Sequence, residues 1–346
     1  MRKSMTKPGG VIAAAVMVAM TAGGTALADP VAGATPRAVD VVGVGDETTQ
    51  ILMNQVAASY NASLTDPAVP RLYSWDSRPS GTITTKSGGT PIARPFGVYG
   101  GMTTLNGYTS ATVDFARSSR GAQQDDPPAD GFVAYAKDVV TWAAPANGHA
   151  PANLSTQNLR DIYTCVVTTW NQIDPSLPNS TIKPYLPPIQ SALTANFRSD
   201  INYGSPLGPG ACVTWSMAPN QGSDPALSDP DALVPYSTGY FIGQAYQGQG
   251  GGSDVQGPLT PRSIDGIAPI DPQTKTISAD ALMTPYAAVL SNVVRDAEWT
   301  ATDAHGVALR DIFSRNGWIC RNGADAIKRS GFLPLPSIAC GRYNHS

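Results

Sequence analysis

Residues able to hold a ligand first appear directly after an apolar run near the N-terminus. In VDVVGVGDETTQILMNQVAASYN, this run ends in a Gly-Val-Gly turn that is followed by Thr48 and Thr49. Apolar residues then recur at Leu52, Val56 and Tyr60, which is the spacing of one helix face. The segment predicts a strand, a tight turn and a helix, and the free N–H groups at such a helix start can hold an anion. An ordinary strand-to-helix connection without a ligand is the alternative.

A second group of donors lies in the segment DFARSSRG. A predicted strand runs there into two arginines and two serines, Arg117, Ser118, Ser119 and Arg120. Their guanidinium and hydroxyl groups can donate hydrogen bonds to an oxyanion or a sugar. The alternative is a solvated turn in which the arginines pair with Asp125 and Asp126 at the surface.

Aromatic side chains offer a different ligand chemistry. Tyr99, Trp170, Tyr185 and Trp215 could face a sugar or another neutral ring. Packing in the core or in loops is the simpler interpretation, and we favour it.

The sequence gives little support for a catalytic function. His149 lies in a Pro- and Ala-rich loop, His305 follows a polar turn and His345 is in the tail, and the sequence has no G-x-S-x-G motif. Asp125 and Asp126 stand among prolines and glutamines in a predicted surface loop, where we do not expect burial to tune their acidity. We therefore predict a protein that is not an enzyme and that needs no cofactor.

The elements that would position these residues alternate between β-rich and helical segments, which favours an α/β arrangement. The predicted strands lie in IARPF, SATVDFA, VAYAKDVVTWAA and ALVPYSTGYFI. A helix with Ser155 as its N-cap is predicted in NLSTQNLRDIYT, and a second helix from Leu282 to Val294.

The N-terminus predicts export from the cell. Arg2, Lys3 and Lys7 precede an apolar run, and Ala26-Leu27-Ala28 fits a signal-peptide cleavage site. Cleavage after Ala28 would remove three of the 23 basic side chains and none of the 26 acidic ones, leaving a net charge near −6. Nucleic acid is therefore an unlikely partner. The chain that remains after cleavage is longer than a domain with one ordinary hydrophobic core, which predicts two lobes.

Four cysteines in an oxidising compartment allow three pairings, and we favour the bridges between neighbours in sequence. These are Cys165 with Cys212 and Cys320 with Cys340, so that each bridge would hold one lobe together. A metal site is the alternative, but the sequence has no Cys-x-x-Cys spacing and only three histidines. We predict no metal.

Several segments in order resemble a known family of binding proteins. They are GVGDETTQ, RPFGVYGGMTTL, TVDFARSSRG, NLSTQNLRDIYTCVVTTWNQI, IKPYLPPIQSALT and VPYSTGYFIGQAY. The chain is similar to the phosphate-binding-type (PstS-like) substrate-binding proteins of ABC transporters, in the periplasmic-binding-protein type 2 superfamily, and within it to a secreted actinobacterial branch. This resemblance covers most of the mature chain.

The resemblance implies two α/β lobes, joined by two hinge crossings, that close over a ligand in the cleft between them. Residues 39–122 and 248–346 would form lobe 1, and residues 123–247 would form lobe 2. The cleft residues that it implies are Thr48, Thr49, Gly100, Ser118, Ser119, Arg120 and Ser191.

The chain departs from the family's phosphate-holding residues within those segments. Glu47 stands at a threonine position, Val98 at a serine, Ser119 at an aspartate and Pro187 at an arginine, and residues 190–193 replace a Gly-Ser-Gly-Thr turn. A buried phosphate dianion needs compensating donors, and a carboxylate facing it would worsen the balance of charge. Arg117 or Arg120, turned inward, could restore anion binding.

The function predicted on this basis is a secreted, monomeric solute-binding protein. It would capture a small polar or anionic solute, phosphate included, in the interlobe cleft and deliver it to an ABC permease. The alternative is an extracellular interaction or adhesion protein that keeps the scaffold and transports no small solute.

Overall fold

The computed structural model describes residues 29–30, 34–215 and 217–345 of the chain. The predicted signal peptide, residues 1–28, lies outside the described residues. Among the helices described, none is both long enough and apolar enough to cross a membrane.

Strands and helices alternate along the described chain. The strands are β1 (Val41–Gly45), β2 (Leu72–Ser74), β3 (Thr82–Ile83), β4 (Ile92–Ala93), β5 (Phe115–Ser118), β6 (Asp130–Pro145), β7 (Asn153–Leu154), β8 (Lys183–Leu186), β9 (Thr214–Trp215), β10 (Ala232–Ser237), β11 (Leu259–Ile264), β12 (Ala287–Arg295), β13 (Leu333–Pro334) and β14 (Tyr343–Asn344). The helices are α1 (Gln50–Ser63), α2 (Gly97–Gly107), α3 (Thr156–Tyr163), α4 (Ala192–Asp200), α5 (Thr238–Tyr246), α6 (Asp296–Thr300), α7 (Ala304–Phe313), α8 (Trp318–Asn322) and α9 (Ala324–Arg329). Three 3-10 turns are described as well, Trp170–Gln172, Pro225–Ser228 and Ala281–Met283.

The long strand β6 belongs to both halves of the molecule. Its residues 130–139 pair with β12, whereas residues 140–145 pair with β10 and β11. The sheet order is β2-β1-β5-β12-β6-β10-β8-β9. One chain segment thus carries the sheet from one half to the other. The predicted lobe limits stay a prediction.

Each half has its own apolar core. In the first, α1, α7, α8 and α9 pack against the sheet, and Phe115 meets Phe313 edge to face at 4.9 Å. In the second, α3 and α4 pack around Tyr163 and Phe197, whose rings lie 5.2 Å apart. Both predicted disulfides are confirmed, and they lie in different halves, Cys165–Cys212 beside α3 and Cys320–Cys340 beside α8.

Local sequence signals explain two of the helices. Leu52, Val56 and Tyr60 are buried along one face of α1, as their spacing predicts. Ser155 caps α3, because its hydroxyl accepts the Asn158 N–H while the Asn158 side chain accepts the Ser155 N–H. The predicted N-cap is therefore confirmed.

Two predicted elements are wrong. The segment predicted as a helix from Leu282 to Val294 contains a short 3-10 turn followed by β12. This strand pairs with β5 along one edge and with β6 along the other, and its residues 290–294 are buried on both faces. Its apolar residues therefore do not alternate, and such a run cannot be told from a helix by spacing. The second half of ALVPYSTGYFI is α5, which Ser237 caps by accepting the Tyr240 N–H.

Candidate functional site

The turn that joins β1 to α1, residues 46–49, is buried together with residues 117–120 at the end of β5. The Asp46 carboxylate accepts hydrogen bonds from Thr49 Oγ1 at 3.1 Å and from Ser119 Oγ at 3.2 Å. Two of the segments that the sequence singled out therefore meet.

Residues from the second half of the molecule close over this turn. The Ser191 hydroxyl, at the start of α4, donates to Glu47 Oε1, and the Asn220 amide donates to Thr48 Oγ1 at 3.3 Å. The other Glu47 oxygen, Oε2, is buried and has no hydrogen-bond partner within the described chain. We call residues 46–49 and 117–120, with Ser191 and Asn220, the turn cluster.

Arg117 is fully buried at the base of the turn cluster. Its guanidinium group donates to four acceptors at 2.5 to 3.0 Å, the carbonyls of Gly45, Asp46 and Trp75 and the hydroxyl of Ser74. A guanidinium has five N–H donors in a fixed plane, so these bonds hold it firmly within the protein. The inward-turned Arg117 is thus occupied by protein groups.

Arg120 forms an ion pair with Asp126. Its two terminal nitrogens lie 2.7 and 2.6 Å from the two carboxylate oxygens, and both side chains are buried. The pairing anticipated for a solvated turn is therefore present, but it is buried. Ser118 donates to the Arg120 carbonyl at 2.9 Å, which fixes the turn itself.

Carboxyl groups dominate the electrostatics around the turn cluster. Burial raises the pKa of Asp46, and burial together with repulsion from Asp46 raises the pKa of Glu47. Burial also raises the pKa of Asp76 to about 7 and that of Asp138 to about 6, although the Arg117 charge opposes the shift at Asp76. The region thus holds more carboxyl groups than the single positive charge of Arg117 can neutralise.

A chamber of about 410 Å³ lies beside α1, next to the turn cluster. Three segments contribute most of its polar lining, α1 with Gln50 and Gln55, the segment after β2 with Asp76 and Arg78, and the loop after α5 with Gln249 and Asp254. These lining residues were not predicted from the sequence. The charged SWDSRP segment and the amide-rich QGQGGGSD loop are the signals that could have pointed to them.

The remaining predicted site residue, Gly100, lies within α2 and accepts a hydrogen bond from Thr104 of the same helix. The start of α2 does approach the turn cluster, since a Cβ at Gly97 would lie 3.3 Å from the Ser191 backbone nitrogen. A binding role for Gly100 stays a prediction.

Aromatic residues take different positions. Trp170 is buried and donates to Asp231 at 2.8 Å, as core packing predicts. Tyr99 and Trp215 are exposed by 40% and 42%, and each lies beside an arginine. Neither belongs to the chamber lining.

Ser180, His149 and Asp231 come together in the second half. Both the Asp231 carboxylate, at 2.8 Å, and the Ser180 hydroxyl, at 3.3 Å, contact the same imidazole nitrogen, Nδ1. A hydrolase triad requires the acid and the nucleophile on opposite nitrogens. This group therefore lacks the geometry of a triad.

Comparison with known proteins places this architecture in a family. A model of the PBP superfamily domain matches residues 30–289. The chain belongs to the PBP superfamily. A comparison with curated proteins gave no match. Membership of a binding-protein superfamily agrees with the prediction that the chain is not an enzyme.

Solved structures show the same fold. An ABC-type phosphate transport receptor from Vibrio cholerae is 13% identical with a TM-score of 0.56, over 86% of this chain and 100% of that one. A putative phosphate ABC transporter substrate-binding protein with bound phosphate, from Clostridium perfringens, is 13% identical with a TM-score of 0.58, over 86% of this chain and 99% of that one. The predicted PstS-like resemblance and two-lobed α/β fold are confirmed, while the actinobacterial branch stays a prediction.

Proposed function

We propose that this PBP-superfamily protein is a secreted, monomeric receptor that closes its two lobes over a small polar solute and delivers it to an ABC permease. The observation that carries the proposal is the buried polar interior between the halves, where the 46–49 turn meets Ser191 and Asn220. We take residues 39–122 with 248–346 as one lobe and 123–247 as the other. Similarity of fold to two proteins described as phosphate transport components supports this assignment.

Phosphate itself is disfavoured as the solute. Arg117 and Arg120 already donate to protein acceptors, and Glu47 places a carboxyl group beside Ser191, at the start of α4. A dianion brought to this acid-rich region would lack compensating charge, and uncompensated burial of an ion costs several kcal/mol. We therefore favour a neutral or positively charged polar solute.

The predicted site residues divide accordingly. Thr48, Thr49, Ser119 and Ser191 are buried where the halves meet, which supports a role for them in closure around the solute. Ser118 and Arg120 form local contacts, and a direct role for these two and for Gly100 has less support.

A thermal-shift series on the secreted chain tests the proposal. Phosphate, sulfate, phosphonates, nucleotides, sugars and amino acids would each be added at millimolar concentration. A bound solute at a hundredfold excess over its Kd stabilises the folded state by about 2.7 kcal/mol. We expect stabilisation by an uncharged or amine-bearing solute and none by phosphate.

An extracellular interaction protein is the second candidate. The observation favouring it is that protein–protein hydrogen bonds, Glu47 with Ser191 and Thr48 with Asn220, already join the halves at the turn cluster. A chain that no solute stabilises, but whose scattering profile is that of the closed form, would favour this candidate over the receptor.

A further inference from the structure

The chamber beside α1 holds three ionisable groups with unusual surroundings. Asp76 is 7% exposed, and its Oδ1 accepts from Asn54 at 2.8 Å, whereas its Oδ2 accepts no hydrogen bond from any residue that the structure describes. Asp254 accepts from Tyr240 at 2.8 Å and from Gln244 at 2.9 Å, both of them neutral donors. Neither carboxyl group forms an ion pair within the described chain.

The third group is the Arg78 guanidinium. It lies 4.8 Å from the centre of the Phe96 ring, and its buried Nε has no hydrogen-bond partner within the described part of the protein. Arg78 also forms no ion pair there, unlike the buried Arg120. A cation and two carboxyl groups thus share one chamber without neutralising one another in pairs.

The lining defines the chemistry of an occupant. Its other polar residues include Gln50, Gln221 and Gln249, whose amides offer both donors and acceptors. No aromatic side chain is among the described residues that line the chamber, which removes the flat surface on which sugar rings stack. The volume of about 410 Å³ falls in the usual range for small-molecule sites, roughly 300 to 1,000 Å³.

We propose that the chamber binds a small zwitterion, with its ammonium group at Asp76 and Asp254 and its carboxylate at Arg78. This proposal rests on the receptor function proposed above and names its solute class. An ammonium group supplies the donors that the unpartnered Asp76 oxygen lacks, and a carboxylate accepts from the planar guanidinium through two parallel bonds. Burial raises the pKa of both Asp76 and Asp254, and a bound ammonium group would favour their ionised forms.

The position of Asp76 is fixed from outside the chamber. Its backbone N–H donates to Asp29 at 3.3 Å and its carbonyl accepts from Arg94 at 2.8 Å, while Arg94 and Asp29 form an ion pair. On the facing wall, Gln55 donates to Gln249 at 2.9 Å and ties α1 to the loop after α5. These contacts hold the chamber walls in place for a ligand.

Calorimetric titration with ω-amino acids, from glycine to 6-aminohexanoate, tests the proposal, since the series scans the spacing between the two charges. The matched probes are ω-hydroxy acids, which lack the ammonium group, alkylamines, which lack the carboxylate, and glucose and inorganic phosphate. We expect one member of the amino-acid series to bind and its matched probes to bind at least tenfold more weakly.

Variants locate the binding. Asp76→Asn and Arg78→Gln should each raise the Kd by roughly thirtyfold or more. This is the effect expected when one partner of a buried charge pair is removed. The exposed Asp311→Asn and Arg315→Gln are the matched controls and should bind like the wild type. Circular dichroism and melting curves establish that each variant is folded.

The remaining outcomes separate the two proposals. Binding of glucose, but of no ω-amino acid, would overturn the zwitterion and keep the receptor. Zwitterion binding that Asp76→Asn and Arg78→Gln leave unchanged would overturn the chamber as its site. Failure of this series and of every solute in the thermal-shift series would overturn both proposals.

Discussion

The turn cluster and the chamber are neighbours along α1, but their charged groups differ in whether protein partners bind them. In the turn cluster, Arg117 and Arg120 are occupied by protein acceptors, and Ser191 reaches across to Glu47. In the chamber, Asp76 and Arg78 form no ion pair with any described residue. Buried groups that satisfy one another stabilise the fold, whereas groups that face a cavity unsatisfied are available to a ligand.

Removal of Arg117 should have the largest effect on stability. We expect Arg117→Leu to lower the free energy of unfolding by roughly 3 to 5 kcal/mol, because it leaves buried acceptors and nearby carboxyl groups without their cation. Arg78→Leu, the matched change in the chamber, should cost about 1 kcal/mol or less. Urea denaturation measures the stability of both variants. Equal losses would contradict the difference between the turn cluster and the chamber.

Glu47 should make stability depend on pH. Its pKa is raised by burial from 4.5 to about 8, so within that window it holds a proton in the folded state that the unfolded chain has lost. Its contribution to the free energy of unfolding therefore falls as pH rises from about 4.5 to about 8. Compared with the wild type, Glu47→Gln should have a free energy of unfolding that is higher by about 2 to 4 kcal/mol at the upper end of this pH window. At the lower end the two proteins should differ little.

Urea denaturation of both proteins across the same pH range measures this difference. The exposed Asp311→Asn, which also replaces a carboxyl group by an amide, serves as the control and should follow the wild type at every pH. A Glu47→Gln difference that stays constant with pH would show that this carboxyl group is not buried as described.

Loss of the contact across the halves should have a smaller effect. Ser191→Ala removes the donor to Glu47 and should lower the free energy of unfolding by roughly 1 to 2 kcal/mol. Ser253→Ala changes a hydroxyl in the chamber lining and should cost under about 0.5 kcal/mol. Thermal melts of the two variants would sharpen the comparison, and a larger loss for Ser253→Ala would contradict it.

An equally small effect on stability is expected from Gln55→Ala. It removes the hydrogen bond to Gln249, which is partly open to solvent, and should cost under about 0.5 kcal/mol. Its effect on solute binding in the chamber should be larger than its effect on stability. A melt and a titration of the same variant check both expectations.

The fold was largely predictable because its signals are local. The Gly-Val-Gly turn before α1 and the Ser155 cap of α3 lie within a few residues of the elements that they begin. β12 was not predicted as a strand because its residues 290–294 are buried on both faces, so apolar and polar residues do not alternate along it. Its identity is decided by the strands beside it, which are distant in sequence.

The site was predictable only in part. The departure at Glu47 could be seen from the sequence, and so could the pairing of Arg120 with a nearby acid. The full occupation of Arg117 could not, because its acceptors come from two other turns. The chamber was missed because Asp76 and Asp254 are far apart in sequence and only the fold brings them to one cavity.

Calorimetric titration of the wild-type chain with inorganic phosphate tests the central claim most directly. Because the arginines of the turn cluster are occupied and Glu47 adds an acid there, we expect no saturable heat up to millimolar phosphate. Saturable binding with a micromolar Kd would contradict the claim that this interlobe interior has lost its capacity for the anion.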